Sequence, residues 1–277
     1  MKLLVRSSTD PASVNITDRL LELGGWTEGG IFEGSPVLRK GKVALVTIPS
    51  HHLYYDDIDA RFASALGERP SLVVFASRHT SASNLRTLTA HPIGNFGRAD
   101  YGGREGALVP AAPREMTLAY RLMRKVAGEA GLEYQVSLEA THHGPFLSTP
   151  SFYIEIGSDE TAWRDGEAAR ALAAAIEGSI LSEPPEEPVA LGVGGGHYVP
   201  RISDVAWERR VSFGHMLPSY VLEQGFRPDL LQKMIEATPG AELVYFHKKA
   251  IRSPLLRQME AWFMERGIRP VSSGELG

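Results

Sequence analysis

The sequence predicts an α/β protein with a mixed, mostly parallel sheet and helices on both faces. Three observations carry this. Short β-branched and apolar runs recur, such as Val43–Ile48, Ser71–Ala76 and Val189–Leu191. They are the length of strands and apolar throughout, as strands covered on both faces are. Segments of helical period lie between them, giving a β-loop-α-β rhythm. Each run then opens into a loop of small residues and histidines, where α/β sheets place their ligands.

The elements follow in order. Lys2–Arg6 is a first strand, because the apolar start meets Arg6, Ser7, Ser8 and Asp10 too early to form a signal-peptide core. Ser13–Leu23 is a short helix, with Val14, Ile16, Leu20, Leu21 and Leu23 apolar, stopped by Gly24-Gly25. Val43–Ile48 is a strand closed by Pro49 and followed by the loop Ser50–Asp57. Asp57–Leu66 is a helix with an acidic first turn, and Ser71–Ala76 the next strand. Thr87–Pro113 lacks periodicity and reads as one long irregular segment, of a length that usually carries function. Arg114–Ala130 is an amphipathic helix ended by Gly131. Tyr134–Leu138 and Phe152–Ile156 are strands, the second carrying Glu155 among apolar residues. Ser158–Ile180 reads as one helix and Leu181–Pro188 as a surface connection. Val189–Leu191 is a strand running into Gly194-Gly195-Gly196-His197. Arg201–Ser212 is a charged stretch, and Phe213–Pro218 a loop. Leu230–Ile235 is helical and Leu243–Phe246 is a strand. Ser253 caps a last helix over Pro254–Arg266.

Composition bounds the function. The chain has 277 residues, 43% hydrophobic and 22% charged, which is ordinary for a globular protein. That length suits one large α/β domain or two small ones. No shift in composition marks an internal boundary, so residues 1–277 read as a single domain. No apolar run is long enough to cross a bilayer, so no membrane role is expected. Absence of cysteine excludes disulfides, thiolate catalysis and cysteine zinc sites, and fits a cytoplasmic protein. A metal would need His, Asp or Glu. The net charge of −4 gives no global attraction to nucleic acid, so an RNA partner needs a local basic face.

The candidate chemistry lies in the histidines. Of nine, His51, His52, His79, His142, His143, His197 and His247 fall in or after loops that follow strands. In a doubly wound sheet these loops converge on one edge. Neutral imidazole is both a metal ligand and a general base, so a cysteine-free cluster points to hydrolysis, with or without zinc. Each has a structural alternative. His51-His52 can be a solvated loop pair. His79 sits among hydroxyls in SRHTS. In His142-His143 one ring is expected to bind and the other to pack, since strand side chains alternate faces. Glu139 stands three residues before the pair, as a supporting carboxylate or ligand. His91, before Pro92, reads as a turn residue unless its loop folds over the site. His215 has Asp204 and Glu208 near it in sequence. Phosphate-loop, HExxH, dinucleotide and GxSxG patterns are all absent.

Four longer motifs then stand out: HPIGNFG at His91–Gly97, EATHHGP at Glu139–Pro145, GVGGGHYVPR at Gly192–Arg201 and GHMLPSY at Gly214–Tyr220. With KLLVRSSTDPAS at the N-terminus and VVFASRHTSAS at Val73–Ser83, they closely resemble the archaeal and plant type of D-aminoacyl-tRNA deacylase. The resemblance spans nearly the whole chain. It implies a phosphorylase/hydrolase-like three-layer α/β/α fold. It also implies a cytoplasmic proofreading hydrolase that frees a D-amino acid and tRNA, and dependence on Zn2+. On this reading His142, His143 and His197 are catalytic with Glu139. His79, His142, His143 and His197 are the metal candidates. Gly194, Gly195 and Gly196 offer backbone N–H groups to the developing oxyanion. His91 and Asn95 contact substrate, and Arg201, Lys248 and Lys249, with Arg209, Arg210 and Arg252, form the basic face for tRNA. A monomer or small homo-oligomer is expected. A metal-free variant keeps the same residues with one histidine as base. Two rivals stay open: a zinc-dependent aminopeptidase or amidase, and a non-catalytic tRNA-binding protein.

Overall fold

In the computed structural model, which describes all residues except Ser83 and Gln224, two sheets are joined by shared helices. The larger sheet has eight strands: β1 (Lys2–Ser7), β2 (Thr27–Phe32), β3 (Ser35–Lys40), β4 (Val43–Ile48), β5 (Leu72–Arg78), β6 (Thr87–His91), β7 (Gln135–Leu138) and β8 (Ser151–Gly157). Their order is β2-β3-β4-β1-β5-β8-β6-β7. The pairings β4-β1, β1-β5, β5-β8 and β6-β7 are parallel, whereas β2-β3, β3-β4 and β6-β8 are antiparallel. The smaller sheet is parallel throughout, in the order β10 (Ser212–Leu217), β9 (Val189–Val193), β11 (Ala241–Phe246), β12 (Arg269–Val271). Ser83, the last residue of VVFASRHTSAS, lies outside the described residues.

The period of two in the central strands sorts their side chains into layers. Leu4, Val43, Leu45, Val74 and Ala76 face helices α1 (Pro11–Glu22), α3 (Pro113–Glu129) and α5 (Gly166–Leu181). Leu3, Val5, Ala44, Val46, Val73 and Phe75 face α2 (Ile58–Leu66) and the loops carrying Ile93, Val109 and Leu147. The core on the α3 side continues into the smaller sheet through Ala190, Phe213 and Met216 and through α6 (Pro200–Glu208). The other face of that sheet packs on the short α7 (Ser219–Leu222), α8 (Pro228–Glu236) and α9 (Ser253–Met264). This is the expected α/β class, with a mixed and mostly parallel sheet.

Four elements differ from the sequence reading. Thr87–His91 is not the start of an irregular segment but the buried strand β6, wedged antiparallel against β8. Its polar threonines and histidine hide the apolar signature. Ser158–Ile180 is two helices, α4 (Glu160–Trp163) and α5, because the Asp165 side chain accepts from the Glu167 and Ala168 amides and starts a new helix. Phe213–Pro218 is mostly strand β10 rather than a loop. Ser253 is the first residue of α9 and makes no cap; Arg252 holds that place. The connection before β9 is also less superficial than its composition suggests. Glu187 is buried, paired to Arg121 at 2.9 Å, and accepts from Ser212 Oγ at 2.5 Å.

Candidate active site

The loops after β5, β6, β7 and β9 meet where the two sheets join. The Ala140 amide donates to the His197 carbonyl at 2.8 Å, and the Thr141 amide to the Met216 carbonyl at 3.0 Å. The EATHHGP loop of the large sheet is thereby stitched to the GGGH turn and to β10. At the seam His79, His91, His142, His143 and His197 form one chain of ring contacts, with centroid separations from 4.1 Å (His91–His142) to 5.5 Å (His79–His197).

His142 and His143 both turn into this cluster. His143 has φ +46°, a left-handed conformation that breaks strand alternation, so the expectation of one binding and one packing ring is not met. The Nδ1–H groups of His91, His142 and His143 donate to the carbonyls of Pro92 (3.0 Å), Ala140 (2.8 Å) and Gly144 (2.7 Å). A carbonyl can only accept, so in each ring Nδ1 carries the proton. One ligand atom from each of the three lies within 4.8 Å of the others. His79, Glu139 and His197 form a second set within the same limit, and His91, Glu139 and Glu155 a third. No one set holds His79, His142, His143 and His197 together.

Glu139 is the hub. It is fully buried, and neither oxygen has a hydrogen-bond partner. Its Oε1 lies 3.3 Å from His79 Nδ1; its Oε2 lies 3.4 Å from His197 Nε2 and 3.7 Å from His142 Nε2. Burial alone would raise its pKa, but His197 and His79 hold it below the ordinary carboxylate value. A second buried carboxylate, Glu155, approaches His79 at 3.7 Å and His91 at 3.6 Å. Burial opposes a charge on His79, yet Glu155 and Glu139 outweigh it and raise the pKa to about 10. His91 moves up for the same reason. His142 and His143 go the other way. Burial, reinforced by His91, lowers His143 to about 3 and His142 well below its ordinary value, with His143 and His197 adding to the second shift. The site therefore pairs ionised carboxylates with both charged and neutral imidazoles.

Two clefts flank the pair. One, of about 540 Å³, is lined by His51, Tyr54, Arg78, His79, Thr80 and His197 among others; the second, of about 560 Å³, by Asn95, Phe96, Tyr101, Thr141, Tyr220 and their neighbours. Both include His142, His143 and Tyr101.

The remaining expected residues divide. His91 is no turn residue: it ends β6, fully buried, with its ring stacked on Tyr153 at 5.1 Å. Asn95 is mostly buried and donates Nδ2 to the Gly102 carbonyl at 2.9 Å, which shapes the loop around it. His52 is buried against Phe75 and Tyr153 rather than solvated. His215 is far from Asp204 and Glu208 in its bonding; it pairs with Thr141 Oγ1 at 3.0 Å and donates to the Val109 carbonyl at 2.9 Å. His247 does not join the cluster. It lines a separate cleft with Arg201, Lys248 and Lys249. Of the three glycine amides, Gly194 donates to the Leu217 carbonyl (2.8 Å) and Gly195 to Ser219 Oγ (2.9 Å), so neither is available to an oxyanion; Gly196 has no such partner among the described residues. Arg209 and Arg210 follow α6 and do not line the cleft of Lys248 and Lys249, and the Arg210 amide is bonded to the Gly277 carbonyl. Glu155 was legible only as a lone carboxylate in the apolar run FYIEI.

Comparison with known proteins agrees with the motifs. A family model described as D-aminoacyl-tRNA deacylase matches residues 66–271. A relative of that name from Thermococcus onnurineus is 37% identical over 273 residues, covering 97% of this chain and 98% of its own. One from Methanococcoides burtonii is 42% identical over 272 residues and 96% of this chain, which spans only 55% of that longer relative. The crystal structure of a conserved protein of unknown function superposes with a TM-score of 0.91 at 30% identity, over 100% of this chain and 96% of that one.

Proposed function

Because the chain belongs to the D-aminoacyl-tRNA deacylase family, we propose that it hydrolyses the ester between a D-amino acid and the 3′-terminal ribose of tRNA. The observation that carries this reading is the buried, ionised Glu139 among imidazoles of opposite charge state, at the meeting point of two clefts. An ester needs a positioned water, a base for its proton and a positive partner for the oxyanion.

The chain's own groups divide these tasks. Glu139 Oε2 faces His197 Nε2 at 3.4 Å and favours a proton on that nitrogen, so His197 Nδ1 is the atom that receives the proton of water. Glu139 then stabilises the resulting imidazolium. As the tetrahedral species collapses, the same proton passes to the leaving ribose oxygen, and the amino acid departs as its carboxylic acid. His79, kept charged by Glu155 and Glu139, places positive charge on the wall of the cleft where the oxyanion develops. The Gly196 N–H is the remaining backbone donor.

The donors of the site also fit Zn2+. His91, His142 and His143 each fix Nδ1–H on a carbonyl, the arrangement that presents the other ring nitrogen to a cation. The orphaned Glu139 oxygens add negative charge beside them. When bound, zinc polarises the ester carbonyl and eases ionisation of water. A cytoplasmic monomer or small homo-oligomer is the proposed state. No helix among the described residues is long and apolar enough to cross a membrane.

The decisive measurement is amino-acid release from D-Tyr-tRNA and L-Tyr-tRNA, with and without prior chelation. Release from the D form, lost on chelation and restored by zinc, is expected. Release indifferent to chelation removes the metal and leaves the His197–Glu139 pair. No release from either form overturns the deacylase reading.

A further inference from the structure

Among the described residues the exposed aromatic side chains are Tyr54, Tyr101, Trp207 and Tyr220. Trp207 carries the Arg124 guanidinium on its face at 4.9 Å. The three tyrosines all border the clefts beside His142 and His143, and two of them, Tyr101 (67% exposed) and Tyr220 (53%), line the same cleft. Exposed rings at a catalytic cleft are costly in water and are a recurrent platform for unpaired bases.

The backbone under Tyr220 ties this cleft to the basic one. Ser219 donates its amide to the Gly195 carbonyl at 2.9 Å. Its Oγ accepts from the Gly195 amide at 2.9 Å and donates to the Ala250 carbonyl at 3.2 Å. Ala250 ends the turn that carries Lys248 and Lys249. Through Ser219 the lysine turn is therefore tied to the segment that carries the ring beside the histidines.

We propose that the unpaired 3′ end of the tRNA lies along this path. Its phosphates sit at Arg201, Lys248 and Lys249, and its terminal base stacks on Tyr220 and Tyr101, so that the ester falls beside His142 and His143. This rests on the deacylase reading and adds what positions the substrate. Stacking uses the π-face that every base has, and all tRNAs share the same unpaired end. The site can therefore grip the nucleotide without reading the tRNA's identity.

The test is a binding cycle. A short single-stranded RNA with the 3′-terminal sequence of tRNA, and the same RNA lacking its terminal base, are titrated against wild type, Tyr220→Ala and Tyr220→Phe. Alanine at a stacking position costs roughly 5- to 150-fold in affinity. Base removal should weaken wild type by at least that factor, and Tyr220→Ala should weaken the intact RNA by part of the same loss. In Tyr220→Ala, base removal should cost clearly less than in wild type, because only Tyr101 is left to stack, while Tyr220→Phe, which keeps the ring, should restore binding. Losses that add in the double change, or a wild type indifferent to the terminal base, overturn the proposal. In turnover, Tyr220→Ala should raise KM for D-Tyr-tRNA about ten-fold and leave kcat within about two-fold. The ring is exposed, so an unchanged thermal midpoint checks the fold. A wild type that binds the RNA in this way but releases no amino acid would count against the deacylase reading alone.

Discussion

Glu139 concentrates the chemistry of the molecule in one carboxylate. A buried charge with neither oxygen hydrogen-bonded is held only by the imidazoles around it, at 3.3–3.7 Å. Burying such a group costs several kcal/mol before its partners offset it. The imidazoles more than offset that cost, since they hold its pKa below the ordinary value, so the charge contributes stability at neutral pH that is lost as pH falls through the folded value. Glu139→Gln keeps the shape and removes the charge. It should lower kcat by about 100-fold or more with KM little changed, and lower the thermal midpoint at neutral pH, because His79 loses a counter-charge at 3.3 Å. Steady-state kinetics and a melting curve on the same sample decide this, and unchanged kcat would remove Glu139 from the mechanism. In the sequence, Glu139 could be seen as a companion of His142-His143 at a spacing of three. Its reach to His79 and His197, 60 and 58 residues away, could not, because only the packing of two sheets brings them together.

The loop between β6 and α3 shows what an irregular element needs in order to sit on an active site. It crosses the HHGP turn closely enough that the Gly144 amide donates to the Tyr101 carbonyl at 3.0 Å. A Cβ on Gly102 would meet the Leu53 carbonyl oxygen at 1.8 Å, and φ there is +76°. Gly102→Ala should therefore lift the loop, at a cost of about 2 kcal/mol in strain. It should also displace Tyr101 from the cleft. A lowered midpoint in denaturant together with a raised KM is the expected pair of results, and wild-type values for both would contradict the account. The regular elements were mostly readable. Val43–Ile48 and Leu72–Ala76 declare themselves by unbroken apolar runs, and α3 by its period. The hairpin β2–β3, with Gly29-Gly30 and scattered charge, carries no such pattern, and it sits at the sheet's edge where burial does not require one. β6 was missed for the opposite reason. It is wholly buried, but three of its five residues, Thr87, Thr89 and His91, are polar, because it runs beside Glu155.

At the scale of the whole molecule, Arg121 holds the two sheets to each other. From α3 it makes two bonds to the Glu187 carboxylate and reaches the carbonyls of Ala206, Arg209 and Val211, so one guanidinium spans the linker, the end of α6 and the approach to β10. Removing it strands Glu187 in the interior. Arg121→Ala should cost about 3–5 kcal/mol, read by urea unfolding, and activity should fall with it because the catalytic seam lies between the same two sheets. The pair Arg121→Met with Glu187→Leu should recover much of the loss, since neither charge is then left alone; failure to recover would place the cost in the carbonyl contacts instead. That seam has a consequence for biosynthesis. Glu139, His142 and His143 precede the linker at residues 181–188, whereas His197, the carbonyl that Thr141 grips in β10, and the lysine turn follow it. A nascent chain emerging from the ribosome can complete most of its larger sheet and still possess no working esterase. The capacity to free D-amino acids from tRNA arises only once residues beyond that linker have been made.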